Sequence, residues 1–315
     1  MAKKTLLTDG ATFHKVKKGF ITSGGVYRKI KKAFVTDGGV YRPCWGGGPA
    51  EMEISSTGAM TDYGLVKMGD GNTYRLLAVT GSGTVTFAEA ASGEVWMCGG
   101  GTSGGRGRDG GDAGGGGAGA FTASGTVSLS GGMVAVVGAG GATNSTKNTH
   151  KDGGLSSFGG LQTSVSFSDY GGGYGRNGGT GGGSGGGNGL GKGDGVSKYP
   201  FGDSAYFKCH CAGGGGGSLS RYVDGKSNYC GGNGGTNGGN GANWYETEEY
   251  TGSEVGGTGG NYGGGKGGNG RSGRDGAAAT FYGSAGGGNG CNNNGSVGTG
   301  GAGYQGVIYI RIKAA

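Results

Sequence analysis

The sequence has little of what defines an ordinary globular enzyme or a fibrous protein. It contains only three prolines in 315 residues, three histidines, and 15% charged residues. Collagen needs a strict Gly-X-Y repeat with abundant proline, so this scarcity excludes a collagen triple helix. No apolar run approaches the roughly 20 residues of a membrane span. The N-terminus lacks the apolar run of a secretory signal peptide, so we expect synthesis in a cytoplasm without export by that route.

Motifs for catalysis and metal binding are also missing. The chain has no nucleophile elbow, and its Gly-Lys stretches do not keep the spacing of a phosphate-binding loop. Cys209, His210 and Cys211 form a Cys-His-Cys motif, but structural zinc sites usually separate paired cysteines by two or more residues. Cys230 and Cys291 could complete a ligand set only if the fold brought them there. We predict no enzyme activity, no cofactor and no bound metal. The six scattered cysteines permit disulfides, although the missing signal peptide favours thiols.

Glycine is the residue in excess, with 93 positions against an ordinary usage of about 7%. A disordered chain is one explanation, but disordered segments have few aromatic residues, and this chain has 16 Tyr, 10 Phe and 3 Trp. The glycine runs also lie between strand-like segments rather than in tails. These observations favour a folded architecture.

Several glycine runs keep a period of three residues, which is the period of a polyproline II helix. One face of such a helix carries no side chain, so several helices can pack backbone to backbone and bond their N–H groups to neighbouring helices. We predict a packed polyglycine-II bundle, with a solvated flexible linker as the alternative. The glycines in this period are Gly104, Gly107, Gly110, Gly116, Gly119, Gly232, Gly235, Gly238, Gly241, Gly264, Gly267, Gly270, Gly273 and Gly276.

Short β-like runs form the remaining framework, and helical periodicity is essentially absent. The predicted strands are Tyr74–Thr80, Thr84–Ala88, Glu94–Cys98, Thr126–Ser130, Met133–Gly138 and Gly306–Ile312. The Gly131-Gly132 pair between two of these runs predicts a hairpin. The predicted fold class is all-β with polyglycine-II helices and essentially no α-helix.

A 14-residue repeat precedes this framework. Three units begin at Lys3, Lys17 and Lys31, and each has two short β-rich runs around an Asp-Gly or Gly-Gly turn. This pattern predicts three hairpins in a small β-meander. We divide the chain into a repeat module at 1–45, a linker at 46–52 and a glycine-rich domain at 53–315.

The basic excess of the chain lies in the repeat module. Residues 1–45 carry ten Lys and Arg against two Asp, whereas the remainder has 17 basic and 18 acidic residues. Nucleic-acid binding is one interpretation of such a patch. A solvated strand face, or a surface that docks on an acidic partner protein, is favoured because the module has regular hairpin turns and no nucleic-acid-binding motif.

Four stretches resemble the glycine-rich domain of phage tail-fibre and adhesin proteins. They are "VWMCGGG", "VVGAGG", "GGLSSFGG" and the closing "GTGGAGYQGVIYIRI", and the resemblance covers roughly residues 75–315. It implies a virion protein, made in the host cytoplasm, whose polyglycine-II scaffold displays variable loops to a host-cell receptor. The basic repeat is similar to small modules of phage tail and baseplate proteins, although the shortest distal adhesins lack it. A similar glycine-rich layer occurs in a receptor-kinase extracellular domain, so fold alone does not fix function.

The resemblance assigns two sets of contact residues. The basic side chains of the repeat would attach to other tail proteins through Lys17, Lys18, Arg28, Lys31, Lys32 and Arg42. Aromatic islands between glycine runs would contact a bacterial glycan or outer protein, since loops on a rigid scaffold commonly carry function. The receptor-binding candidates are Tyr170, Tyr174, Tyr199, Phe201, Trp244, Tyr245, Glu246, Glu248, Glu249 and Tyr250. We expect Tyr206 and Phe207 to pack in the core instead.

Two other functions stay open beside the adhesin. A purely structural tail-tip or baseplate component would use the same scaffold without binding a receptor. An ice-binding protein also fits packed polyglycine helices, but it would be expected to carry a regular Thr-rich face, which the irregular Asn, Ser and Tyr mixture does not provide. Both a monomer and a homotrimer are compatible with the sequence, and we expect no membrane span.

Overall fold

The fold is all-β, as the sequence predicts. The computed structural model describes residues 52–107, 114–147, 149–164, 198–217, 263–267, 275–290 and 298–314, together with the backbone of nine further strands within 6–45, 219–230 and 245–247. Within these residues the regular structure is β-strand, with one 3-10 turn at Pro200–Gly202 and no α-helix. Accordingly, none of the described residues belongs to a helix with the length and apolarity to cross a membrane.

The strands of the repeat module pair within each 14-residue unit. Each pair forms its own antiparallel two-stranded sheet, and among the described strands no ladder joins one unit to the next. The continuous meander predicted from the sequence is therefore not seen there. The strands are β1 (Leu6–Thr8), β2 (Phe13–Lys15), β3 (Phe20–Ser23), β4 (Val26–Lys29), β5 (Ala33–Asp37) and β6 (Val40–Trp45).

The main sheet has eight antiparallel strands. Its order is β13-β12-β11-β10-β17-β9-β8, with β7 also paired to β10. The strand latest in the chain, β17, therefore lies in the middle of the sheet, between β10 and β9. The strands are β7 (Ile54–Ser56), β8 (Met60–Lys67), β9 (Thr73–Val79), β10 (Gly83–Cys98), β11 (Thr122–Val136), β12 (Ser157–Phe158), β13 (Leu161–Gln162) and β17 (Val307–Lys313). A separate three-stranded sheet contains β14 (Leu219–Val223), β15 (Lys226–Cys230) and β16 (Tyr245–Thr247).

The long ribbon of β10 and β11 corrects the predicted hairpin. The predicted strands at Thr84–Ala88 and Glu94–Cys98 are parts of the single strand β10, and Gly131-Gly132 lies inside β11 rather than in a turn. Phe87 pairs with Gly131 and Ala91 with Leu129, so three residues of β10 face one residue of β11. Gly131 adopts a left-handed φ of 57° at this bulge. The glycine pair therefore bends a strand, which a bulge achieves by local twisting.

Both faces of the central strands are buried. Because side chains alternate across a strand, Leu77 and Ile310 face a first apolar cluster, while Leu76 and Tyr309 face a second one on the opposite side. Four residues of β10, each separated from the next by an even number of positions, also face the first cluster: Val85, Phe87, Val95 and Met97. Burial on both faces explains why β9 and β17 have nearly continuous apolar sequences.

Candidate functional site

Nine segments, most of them rich in glycine, hydrogen-bond to one another next to the main sheet. They have no strand or helix assignment over most of their length, and we call the set the glycine lattice. The segments are s1 (99–107), s2 (114–121), s3 (138–144), s4 (149–156), s5 (211–217), s6 (263–267), s7 (275–280), s8 (282–290) and s9 (298–306).

Hydrogen bonds between these segments recur every three residues. Successive N–H groups of s1 donate to s2, s4 and s9 in turn and then return to s2. The bonds from s1 to s2 leave Gly99, Thr102 and Gly105, those to s4 leave Gly100, Ser103 and Arg106, and those to s9 leave Gly101 and Gly104. A three-residue repeat of this kind directs bonds to three neighbours around the chain axis. It is the bonding that the polyglycine-II interpretation requires, although the helix type itself stays a prediction.

Segment s8 lies at the centre of the lattice. Its N–H groups donate to carbonyl groups of s5, s1 and s7, and its own carbonyl groups accept from s2, s9 and s6. These six neighbours also bond to one another in a closed ring, in the order s5, s2, s1, s9, s7 and s6. All residues from Gly283 to Gly290 are buried. Backbone groups of other segments therefore satisfy the buried backbone of s8.

Glycine is sterically required at the centre of the lattice. A Cβ atom added to Gly286, Gly287 or Gly288 would lie 2.0, 2.0 and 2.1 Å from carbonyl oxygens of s9, s6 and s2, respectively. These distances are far below any real contact. The sequence predicts one bare face per helix, but s8 has neighbours on every side and needs three consecutive glycines.

Three of the period-three glycines are packed as tightly as the centre of s8. A Cβ atom on Gly104, Gly267 or Gly276 would lie 1.8, 1.9 and 1.9 Å from a carbonyl oxygen of another segment. Close backbone packing at these three positions was predicted from the sequence and is confirmed. Gly110, Gly232, Gly235, Gly238, Gly241, Gly270 and Gly273 lie outside the described residues.

The lattice has two distinct ends. At one end, which we call the sheet end, s1, s2 and s9 continue into β10, β11 and β17. At the opposite end, which we call the far end, Asn289 is fully buried and its Oδ1 accepts a bond from the Gly107 N–H (2.8 Å), while its carbonyl oxygen accepts from Gly114 (2.8 Å). Gly298 donates to Gly290 at the same end. The connections from s1 to s2 and from s8 to s9 therefore leave and return at the far end.

An aromatic cluster surrounds His210 at the sheet end. The imidazole centroid is 4.8 Å from Phe281, 5.3 Å from Trp96 and 5.5 Å from Tyr309. Burial lowers the pKa of His210 to about 4, against a smaller opposing effect of its bond to the Lys208 carbonyl. The ring is thus neutral near pH 7: Nδ1–H donates to the Lys208 oxygen (2.8 Å) and Nε2 accepts from the Tyr309 hydroxyl (3.2 Å). His210 therefore packs between Phe281 and the rings of Trp96 and Tyr309 on strands β10 and β17.

The rest of the Cys-His-Cys motif is also buried. Cys209 and Cys211 are 2% and 0% exposed, and both are free thiols. The Cys209 Sγ donates to the His210 carbonyl oxygen at 3.4 Å. Within the part of the chain that the structure describes, no group of three or more His, Cys, Asp or Glu side chains is arranged to hold a metal ion.

A loop at 198–207 covers one side of the second apolar cluster. Asp203 fixes this loop to the β8–β9 turn, because its Oδ2 accepts from the Gly69 N–H (2.7 Å) and its Oδ1 accepts from the N–H groups of Ala205 and Tyr206 (both 3.0 Å). Phe201 in the same loop has a left-handed φ of 55°. A non-glycine residue in this region carries backbone strain, which the surrounding contacts must hold in place.

Arg311 on β17 organises the surface beside this loop. Its guanidinium lies between two rings, 4.4 Å from the Tyr74 centroid and 4.5 Å from the Phe201 centroid, and bonds to Glu94 Oε2 at 2.8 Å. Pockets of about 320 and 290 Å³ share Phe201 and Arg311 in their linings. The Tyr74 hydroxyl donates to Asp70 at 2.7 Å, and this bond, with one from the Asn72 N–H, lowers the pKa of Asp70 to about 2.

A third pocket, of about 190 Å³, lies between two exposed tyrosines. Tyr63 is 51% exposed and Tyr206 is 39% exposed. Core packing of Tyr206, expected from the sequence, is therefore wrong, because the bonds from Asp203 to the backbone of the loop hold this ring at the surface. Core packing of Phe207 is confirmed by its 8% exposure and its ring contact with Tyr309 at 5.0 Å. Aromatic faces beside charged groups suit sugar rings and protein side chains.

One comparison with known protein families is decisive. A family model described as a glycine-rich domain matches residues 78–313. The chain belongs to this family. The matched range begins in β9 and ends in β17, so it spans most of the main sheet and the lattice and does not include the N-terminal hairpins. No curated protein matches the chain.

Only some of the predicted receptor residues lie in the described part of the glycine-rich domain. Tyr199 and Phe201 are half-buried in the loop at 198–207. Tyr245 and Glu246 lie in β16, where their backbones pair with Tyr229 and Asn228. The remaining candidates lie outside the described residues: Tyr170, Tyr174, Trp244, Glu248, Glu249 and Tyr250. Receptor contact by all ten residues stays a prediction.

The predicted attachment residues precede the glycine-rich domain. Arg28 and Arg42 lie in strands β4 and β6. Lys17, Lys18, Lys31 and Lys32 lie outside the described residues. Their role in virion attachment also stays a prediction.

Sequence reasoning missed Arg311, Tyr63 and Asp203. In the sequence, Arg311 is a single polar residue within an apolar strand. The aromatic ring that it contacts, Phe201, is distant in the chain, so the sequence does not indicate this contact. Tyr63 precedes Gly64, which has a φ of 68° within an irregularity of the β8–β9 pairing. An exposed aromatic beside a glycine bulge is a signal that could have been noticed.

Proposed function

We propose that the chain is a phage virion tail protein, a tail fibre or tail-tip adhesin, that binds a receptor on the host-cell surface. The observation that carries this proposal is the closed ring of six segments around s8. A lattice whose centre consists of bonded backbone is rigid and depends little on side chains. It is therefore suited to hold binding loops in fixed positions, as the resemblance to phage adhesins implies.

The connections between lattice segments supply the variable part of such a protein. Each segment is held along its length by backbone bonds to its neighbours, so we expect a change in a connection between segments to leave the lattice bonds intact. Loops on a rigid scaffold are where binding residues concentrate. A preformed loop also loses less conformational entropy on binding, which increases affinity.

The aromatic islands are the proposed receptor contacts. In the sequence, Tyr170 and Tyr174 lie between s4 and s5, and the Trp244–Tyr250 island lies between s5 and s6. Tyrosine and tryptophan give large contact areas at low entropic cost. The proposed receptor is a bacterial glycan or outer protein, with Tyr199 and Phe201 contributing from the described loop.

The N-terminal hairpins are proposed to attach the protein to other tail components. Their basic excess of ten Lys and Arg over two Asp suits an acidic partner surface, since complementary charge accelerates and orients association. In this proposal the protein is assembled into the virion tail after synthesis in the host cytoplasm. Nucleic acid is not among the proposed partners.

The test is adsorption of the full-length chain, fluorescently labelled, to a panel of intact bacteria. A triple variant with Trp244, Tyr245 and Tyr250 changed to Ala is compared with Val134→Ala, which alters an apolar side chain that is 68% exposed on β11. We expect saturable binding to a narrow set of strains, lost in the triple variant and retained in Val134→Ala.

Two outcomes would count against the proposal. A folded chain that binds no strain would point to a structural tail component without receptor binding. Equal binding by the wild type and the triple variant would place the receptor contact away from the Trp244–Tyr250 island. In that case the surface around Phe201 and Tyr206 becomes the next candidate.

A further inference from the structure

We propose that the thiols of Cys98 and Cys211 form a redox-active pair. Their oxidation to a disulfide would cross-link β10 of the main sheet to segment s5 of the glycine lattice. Cys98 is the last residue of β10, and Cys211 is the first residue of s5. Both are fully buried free thiols in the structure. The two residues therefore meet at the sheet end of the lattice.

The geometry at Gly283 places the two sulfur atoms together. A Cβ atom added to Gly283 would lie 2.8 Å from Cys211 Sγ and 3.0 Å from Cys98 Sγ. The two sulfur atoms thus cannot be farther apart than the sum of these distances, and Gly283 leaves the space beside them open. Burial, followed by a side-chain hydrogen bond with Cys98, raises the pKa of the Cys211 thiol well above its usual range.

Cys209 is a natural internal control. It is two residues from Cys211 and almost as buried, at 2% exposure. Its Sγ, however, donates to the His210 carbonyl oxygen at 3.4 Å. Cys211 also has a left-handed φ of 60°, unlike the other described cysteines. The two cysteines thus differ in backbone conformation, and their sulfur atoms have different neighbours.

The reaction is exchange with a small-molecule disulfide such as oxidised glutathione. One cysteine thiolate attacks a sulfur of the oxidant, the oxidant's S–S bond breaks, and one glutathione thiolate leaves. The second cysteine thiolate then attacks the mixed disulfide and releases the second glutathione. Both cysteine protons pass to solvent or to the two glutathione thiolates, so the protein loses two hydrogen atoms and the oxidant gains them. Because both thiols are buried, exchange takes place before folding is complete or during local opening.

The disulfide would stabilise the junction between the two parts of the glycine-rich domain. It would close a chain loop of more than a hundred residues between the end of β10 and the start of s5. Cross-linking a long loop reduces the entropy of the unfolded chain. We expect the oxidised protein to have a Tm about 5 °C or more above that of the reduced protein.

The experiment refolds the full-length chain in glutathione buffers from fully reducing to fully oxidising, so that access to the thiols does not limit the reaction. Free thiols are then alkylated, and the protein is digested with trypsin without reduction. Cys98 lies in the peptide 76–106, and Cys209 and Cys211 share the peptide 209–221. The variants Cys98→Ser, Cys211→Ser and Cys209→Ser assign the bond.

The expected result is a linked pair of these peptides in the wild type and in Cys209→Ser, absent from Cys211→Ser and Cys98→Ser, with the rise in Tm in the same two proteins. The wild-type digest and the Cys209→Ser control remain informative if a Cys98 variant does not fold. Alkylation of both Cys98 and Cys211 under fully oxidising conditions would overturn the proposal. A link that survives in Cys211→Ser, or one without a rise in Tm, would also contradict it.

Discussion

The main sheet and the glycine lattice differ in what fills their interiors: side chains in the sheet, and backbone in the lattice. The sheet packs branched and aromatic side chains on both faces, such as Leu77, Phe87 and Ile310. The lattice packs backbone on backbone, and at its centre Gly286, Gly287 and Gly288 have no space for a side chain. A side-chain core can lose or rearrange methyl groups, whereas a backbone core has no smaller residue available and no room for a larger one. The two regions should therefore respond differently to the smallest substitutions.

The largest effect is expected from adding one methyl group at the centre of the lattice. In Gly287→Ala, the new Cβ would lie 2.0 Å from the Lys266 carbonyl oxygen, so s6 and s8 would have to separate. We expect a loss of more than about 4 kcal/mol of unfolding free energy, or failure to fold. Thermal and denaturant unfolding measure it.

Gly132→Ala is the matched control for that substitution. Its Cβ would approach side chains of the main sheet and no backbone atom, with Thr84 Cγ2 at 3.2 Å and Thr86 Oγ1 at 3.9 Å. We expect a change within about 1 kcal/mol. Similar stability losses in the two glycine variants would show that the lattice centre can relax, and the comparison between the regions would fail.

The next largest effect is expected from removing atoms at the centre of the sheet. Ile310 on β17 is fully buried in the first apolar cluster. Ile310→Ala should cost about 2–5 kcal/mol through lost burial and a residual cavity. Val134→Ala, at a position 68% exposed, should change stability by less than about 0.5 kcal/mol. Denaturant midpoints at constant m-value are the measurement, and an Ile310→Ala loss below that of Val134→Ala would contradict the account.

A smaller, pH-dependent effect is expected at the junction of the two regions. The pKa of His210 is lowered from 6.5 to about 4 in the folded protein, so the unfolded chain binds a proton at higher pH than the folded chain does. Stability should thus be unaffected above pH 6.5, fall as pH decreases from 6.5 toward 4, and lose on the order of 3 kcal/mol by then. His210→Gln should remove this part of the pH dependence. Unfolding free energies between pH 4 and 7 test it, and identical slopes in both proteins would exclude the histidine as the cause.

The sequence predicted those parts of the structure that depend on local patterns. Strands β9 and β17 follow from nearly continuous apolar runs, and the tight packing at Gly104, Gly267 and Gly276 follows from the period of three. The hairpin predicted at Gly131-Gly132 was wrong, because a pair of glycines between two strand-like runs is compatible with either a hairpin turn or a bulge within one strand.

Features that join distant parts of the chain could not be predicted. Segment s8, "YGSAGGGNG", resembles many other glycine runs, and its central place depends on six neighbours spread over residues 99–306. The stack of Arg311 on Phe201 likewise joins residues more than a hundred positions apart. Such contacts produce no repeating pattern of residue types in the sequence. Each contact fixes one residue in each of two distant segments and leaves the adjacent residues free to vary.

The position of β17 between β10 and β9 has a consequence for biosynthesis. The strand that fills the middle of the sheet, and the segment that fills the middle of the lattice, both follow most of their neighbours in the sequence, so they are synthesised after them. Until then the two neighbours of β17 are not bridged, and the lattice segments that are already synthesised lack their central partner. Domains in general fold as units during synthesis, and here the unit closes only when s8 and β17 have both been synthesised. A product truncated before residue 282 would thus lack the centre of both layers rather than a peripheral piece.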